Sequence, residues 1–160
     1  MTQVETSQAT LAVPPADVDV VVDATRVIGH LIAESLAGLE PAITVPQWRV
    51  LVLVSQGACN VSTVAEDLRI HASNATRICD RLVNAGLVRR RRDTDDRRNV
   101  VLTLTGAGRR VYNKAMRARR IQVERAMARM SPPQRRAFIK GMAAFAEAVA
   151  TERDGDALPR

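Results

Sequence analysis

Aromatic side chains are scarce in this chain of 160 residues: one Trp, one Tyr and two Phe. A basic segment that lies on a membrane surface wants Trp, Phe or Leu beside its charge. The arginine-rich stretch from Arg89 to Arg98 contains none of them. Long apolar runs are also missing. No stretch of about 18 apolar residues occurs, so no membrane span is expected. The N-terminal MTQVETSQAT has neither a basic region nor an apolar run of signal-peptide type, and the expected location is the cytoplasm. Cys59 and Cys79 are the two cysteines and form no C-x-x-C. They fit reduced thiols better than a disulfide framework. With His30 and His71 as the sole histidines, a zinc site is not expected, and no metal or cofactor is called for. The length fits one domain with a modest core.

What is present is charge, unevenly placed. The net charge is +7. Residues 1–60 hold two basic and six acidic side chains, whereas residues 81–120 hold thirteen basic and three acidic ones. Such asymmetry is the footprint of a surface that faces a polyanion.

The stretch from Asn60 to Thr105 explains where that charge sits. A short helix is expected over Val61–Arg69, capped by Asn60 or Ser62, with Val64, Ala65 and Leu68 inward. The turn Arg69-Ile70-His71-Ala72 is a tight corner between helices. A second helix runs from about Ser73 to Ala85 and stops at Gly86. Ala75, Ile78, Cys79 and Leu82 form its inner face. Asn74, Arg77 and Arg81 share the other face. Ser73, Asn74, Thr76 and Arg77 occupy its first turns, where a recognition helix meets base edges. Arg can donate two bonds to guanine and Asn can pair with adenine. Any exposed helix face can carry such residues, so this face does not decide by itself. The next segment shifts the balance.

Leu87-Val88-Arg89-Arg90-Arg91-Arg92 leads through Asp93-Thr94-Asp95-Asp96-Arg97-Arg98-Asn99 into Val100–Leu104. The last run alternates Val100, Leu102 and Leu104 against Val101 and Thr103, the pattern of a half-buried strand. The acidic and amide-rich segment between suits a turn. Six arginines fall between Arg89 and Arg98. A ribbon so charged can follow phosphates and insert an Arg into a narrow minor groove. A solvated charge run is the plainer explanation, but it fits less well directly after a helix-turn-helix.

The residues Arg77-Ile78-Cys79-Asp80-Arg81-Leu82-Val83 with Gly86-Leu87-Val88, and Asp96-Arg97-Arg98 followed by Leu104-Thr105-Gly106, resemble the winged helix-turn-helix of the MarR family of transcriptional regulators. The resemblance covers roughly residues 16–152. It implies that Arg98 enters the minor groove and that Asp96 orients a nearby arginine through a salt bridge. It implies a homodimer joined by its terminal helices. It also implies a small lipophilic or phenolic effector, which these residues do not name. The hydroperoxide-sensing branch of the family carries its reactive Cys in the first helix, and this chain has none there.

The flanking segments fit that frame. Residues 1–15 read as a tail and 153–160 as another, with one domain over 16–152 and the winged helix over about 45–105. Asp17–Leu39 reads as a long helix with a broad apolar face that includes Val21, Ile28 and Leu31. Thr44-Val45-Pro46-Gln47 opens a nearly all-apolar helix that ends before Gly57. Its Trp48 reads as a packed core residue or, with His30, as part of an effector pocket. Thr105 caps a helix from Ala107 to Met130, about 36 Å long. Ser131-Pro132-Pro133-Gln134 opens the last helix with a capping box. Phe138, Met142, Phe145 and Val149 form its stripe. These terminal faces exceed what a small core can cover and suit a second copy.

The expected fold is therefore mainly α with a small β-hairpin wing and long terminal dimerisation helices. The expected function is a homodimeric, double-stranded-DNA-binding regulator, a repressor at a palindromic operator. Ser73, Asn74, Arg77 and Arg98 read bases; Ser62, Thr76, Arg81, Arg89, Arg90, Arg91 and Arg97 hold phosphates. The competing readings are a winged helix used for protein contacts and a non-specific DNA-binding module. An enzyme is disfavoured, because Asp93, Asp95 and Asp96 have no supporting His or Glu for metal-assisted chemistry.

Overall fold

A computed structural model describes residues 13–57, 59–92 and 100–155, the last three for their backbone alone. The order is α1 (Pro15–Ala37), α2 (Val45–Gln56), α3 (Val61–Leu68), α4 (Ala72–Asn84), β1 (Val88–Arg92), β2 (Val100–Leu104), α5 (Gly106–Ala128) and α6 (Pro132–Gly155). Among the described residues, six helices and one antiparallel hairpin match the expected mainly α, winged-helix class.

The local signals explain most boundaries. Thr44 and Gln47 form a reciprocal capping box at α2. Asn60, rather than Ser62, caps α3, accepting from the Thr63 N–H at 2.8 Å. α3 ends where Arg69 adopts the left-handed conformation, φ 54°. That conformation costs a non-glycine residue something, and it sharpens the corner into α4. α1 begins two residues earlier than expected, because Pro15 sits at the first helical position, where a missing N–H does no harm.

The core lies in residues 35–115. Val50 and Leu51 of α2, Val64 of α3, Ala75, Cys79 and Leu82 of α4, Leu87, Val88 and Leu102 are essentially inaccessible to solvent. α4 thus buries Ala75, Cys79 and Leu82 of the inner face that its periodicity marks, while Ile78, expected there too, stays half-buried at the edge of that face. Trp48 is also buried and stacks on Tyr112 of α5, with ring centroids 5.4 Å apart and planes 14° from parallel.

The hairpin pairs Val88 with Leu104, Arg90 with Leu102 and Arg92 with Val100. The Leu102 N–H also donates to the Cys59 carbonyl at 2.7 Å, so the segment ahead of α3 lies along β2. One detail departs from strict alternation: Val100 is exposed and Val101 is buried. Val100 sits at the outer end of β2, beyond the core. Val101 shares its face with Arg91, whose aliphatic stem can cover it.

The hairpin is buckled to α5 through Thr105 and Gly108. The Thr105 N–H donates to the Leu87 carbonyl at 3.0 Å, and its hydroxyl donates to the Gly86 carbonyl at 2.6 Å. The same oxygen accepts from the Gly108 N–H at 3.0 Å, as a helix cap. A Cβ at Gly108 would collide with the Leu87 carbonyl oxygen and lie 2.9 Å from its carbon. Only glycine allows this approach of helix to turn.

The chain divides into two compact units, Met1–Met116 and Arg117–Arg160. The second comprises the end of α5 and α6. A Ser131–Gln134 capping box opens α6. None of α6's described side chains is buried. No helix among the described residues is long and apolar enough to cross a membrane.

Candidate nucleic-acid interface

α4 presents its polar side to solvent. Ser73, Asn74, Thr76, Arg77 and Arg81 are all exposed. Asn74, Arg77 and Arg81 line an open cleft of about 420 Å³. Val45, Pro46 and Arg49 of α2, Leu68 of α3, Ile70 of the turn and Ile78 of α4 complete it. The wall therefore combines apolar bodies with three guanidinium groups. Arg49 is committed locally: its Nη2 donates to the Asp67 carbonyl at 3.0 Å and lies 3.4 Å from the Asp67 carboxylate. Arg77 and Arg81 make no ion pair among the described residues. They can donate to base edges or phosphates.

Thr76 is placed less freely. Its hydroxyl donates to the Ala72 carbonyl at 2.9 Å, so holding a phosphate requires leaving that bond. Ser62 is exposed in the first turn of α3.

The strand register sorts the arginines of β1. Residues paired across an antiparallel ladder share a face, and successive residues alternate. Arg90 and Arg92 therefore lie on the face of Val88, Leu102 and Leu104, while Arg89 and Arg91 lie on the other. All four are exposed. The Arg89 Nε donates to the Thr103 hydroxyl at 3.3 Å, inside the hairpin. Arg90 reaches α4, where its Nη2 is 2.7 Å from the Asp80 carboxylate. Sequence reasoning missed this pair. The available signal was that Asp80 is the sole acid of α4, facing a run of four arginines. Asp96, Arg97 and Arg98, expected as the wing salt bridge, a phosphate contact and the minor-groove reader, lie outside the described residues.

The remaining candidates fall elsewhere. Val21 and Ile28 are exposed on α1 and Leu31 is half-buried there. Phe138, Met142, Phe145 and Val149 are exposed on α6. His30 is exposed and pairs with Glu34 at 3.0 Å. Trp48 is packed in the core, and neither it nor His30 lines the cleft beside α4. Burial pushes the Cys79 thiol up to about 11, and neighbouring Cys59 adds to the effect. Burial, with a contribution from Asp67, also raises Cys59. Both thiols stay protonated near neutral pH, whereas a redox sensor needs an accessible thiolate.

Residues 43–100, which contain α2 to β1, match the model of the MarR family. Over 108 residues the chain is 30% identical to the HTH-type transcriptional regulator YfiV of Bacillus subtilis, covering 67% of this chain and 68% of that protein. The chain belongs to the MarR family of transcriptional regulators. The crystal structure of RV1404 from Mycobacterium tuberculosis is similar to this MarR-family regulator at 34% identity and a TM-score of 0.75, spanning 86% of this chain and 96% of that one. CouR from Rhodococcus jostii RHA1, bound to p-coumaroyl-CoA, is similar at 26% identity and a TM-score of 0.64, over 82% and 92% of the two chains. Membership makes the protein a DNA-binding transcriptional regulator with a winged helix, not an enzyme. α3 and α4 form its helix-turn-helix, and the β1–β2 hairpin is its wing.

Proposed function

We propose that this regulator is a homodimeric repressor that reads a palindromic operator in double-stranded DNA, with an affinity altered by a small lipophilic or phenolic effector. The observation that carries the reading is the exposed row Asn74, Arg77 and Arg81 on α4, taken as the recognition helix, beside a wing strand with four exposed arginines. An α-helix fits the major groove, where Arg and Asn distinguish bases. Ser73, Asn74 and Arg77 take that role, with Arg98 of the wing in the minor groove, as in the family pattern. Ser62, Thr76, Arg81, Arg89, Arg91 and Arg97 hold phosphates. Asp96 orients an arginine within the wing.

Surface chemistry supports the dimer. α1 exposes Val20, Val21, Val27 and Ile28, and α6 exposes Phe138, Ile139, Met142 and Phe145. Apolar surface of this extent marks an interaction site. A second copy is the occupant that also gives the two-fold symmetry a palindrome requires. An effector changes DNA affinity only by preferring one spacing of the two lobes over another. The structure of CouR with p-coumaroyl-CoA, whose coumaroyl group is a phenol, supports a phenolic effector as the class.

Titration of labelled duplex DNA across a salt series tests the reading. The logarithm of affinity should fall linearly with the logarithm of salt, and random duplex should compete poorly. Affinity that ignores salt contradicts it. In the same assay Arg77→Ala should relax base preference at a cost of about 1–3 kcal/mol. An unchanged preference removes Arg77 from the readers.

A further inference from the structure

Within the hairpin, the described anchors to the rest of the lobe lie near its base and along β2. Val88, Leu102 and Leu104 are buried, the Leu102 N–H bonds the Cys59 carbonyl, and Thr105 bonds Gly86 and Leu87. Beyond Val88, β1 buries nothing. A two-stranded ribbon is marginally stable by itself, so its angle to α4 needs another support. Arg90 supplies one. It lies on the core-side face of β1, paired with Leu102, and its guanidinium meets the Asp80 carboxylate at 2.7 Å. A charge-assisted bond of that length is short and directional. It joins the recognition helix directly to the wing.

Asp80 is otherwise an odd residue for its place. It sits between Arg77 and Arg81, where a free carboxylate would repel phosphates. Pairing with Arg90 neutralises it. The same bond occupies Arg90, which is therefore a poor phosphate ligand although it belongs to the arginine run.

We propose that the Asp80–Arg90 pair is a brace that sets the angle between recognition helix and wing, and so matches major-groove reading to wing contacts. Arg90 is then a positioning residue, not a phosphate contact. The proposal rests on the DNA-binding reading above. Both partners are partly exposed, 39% for Arg90 and 44% for Asp80. An exposed pair of this kind is modest in strength, so its loss weakens operator binding by about three- to fivefold.

The two roles for Arg90 predict opposite signs at Asp80. If Arg90 grips a phosphate, Asp80→Asn removes a negative charge near DNA, frees the arginine and tightens binding. If the pair is a brace, Asp80→Asn weakens binding. The experiment measures affinity of the full-length protein for its selected operator by fluorescence anisotropy across a salt series. It compares the native protein, Asp80→Asn, Arg90→Gln and the double variant. The brace predicts that each single change weakens binding alike and that the double change weakens it no further. It predicts an unchanged salt slope, and relaxed preference at the base pairs under the wing while those under α4 keep theirs. Tighter binding by Asp80→Asn overturns the brace. So does a salt slope lowered by about one in Arg90→Gln alone, the mark of a lost phosphate contact. A native protein that prefers no sequence overturns the underlying reading as well, and that failure shows before any variant is made.

Discussion

In the winged-helix lobe, Val50, Leu51, Val64, Leu82 and Leu102 are each no more than 1% exposed, whereas Phe138, Phe145 and Met142 of α6 keep 44%, 47% and 38% of their surface. Both regions are helical, capped and periodic in their apolar residues. The difference is that the lobe completes its burial within one chain and α6 does not. α1 behaves like α6 along most of its length, burying only Ser35 and Leu36 near its end. Helical pattern therefore determines which face is apolar, and the partner that covers it is a separate matter. The lobe buries its apolar faces within its own unit, with Leu36 of α1 and Val111 and Ala115 of α5 completing the core, and the proposed occupant of the remaining apolar faces of the terminal helices is a second copy.

The largest losses of stability are expected inside the lobe. Leu82→Ala removes a fully buried side chain of α4 and should cost about 3 kcal/mol, read from the midpoint of denaturant unfolding. A change below about 1 kcal/mol would mean that the lobe core is looser than its burial indicates. Gly108→Ala forces a methyl group onto the Leu87 carbonyl. The backbone must move, at about 2 kcal/mol. Near-native stability in that variant would show that α5 and the wing turn are less tightly joined.

The terminal helices should respond through association instead. Phe145→Asp puts a charge into the apolar stripe of α6 and should raise the dimer dissociation constant by a factor of about 30 or more, as loss of an interface anchor does. Sedimentation at several concentrations reads this. Chemical unfolding of the lobe at fixed low concentration should hardly change. If the variant stays dimeric, the stripe is not the interface.

The smallest effect concerns the core thiol. The raised Cys79 value means that the unfolded chain loses its thiol proton from the ordinary value of 9.0 upward, while the folded chain holds it to about 11. In that window the folded state binds more protons, so stability falls as pH rises. Cys79→Ala should flatten this part of the stability profile relative to the native protein. Identical slopes would show that the thiol does not contribute.

Much of the lobe was readable before any coordinates. Thr44 ahead of Pro46, and Ser131 with Gln134, announce helix starts because capping chemistry is local, although the reciprocal bond of Thr44 with Gln47 emerges only in the structure. Ala75, Cys79 and Leu82 recur at helical spacing because one face must be buried. Asn74, Arg77 and Arg81 follow as the opposite face. What sequence could not separate were the four arginines of β1. They look alike until the strand register turns Arg90 towards α4 and Arg89 towards Thr103. Gly108 was equally silent, since its role depends on a carbonyl twenty-one residues earlier in the chain. Val100 and Val101 exchanged their expected environments for the same reason: alternation marks faces, but the reach of the core decides which end of a face is covered. The readings of Asp96, Arg97 and Arg98 remain expectations, as they fall outside the described residues.

Under the proposed function, one chain supplies half of a two-fold, sequence-reading surface. In-vitro selection of double-stranded DNA with the purified protein, at about physiological salt because affinity depends steeply on it, tests this most directly. An inverted repeat with half-sites about 10 bp apart is expected. Recovery of single, unrepeated sites, or of no preferred sequence, would contradict it.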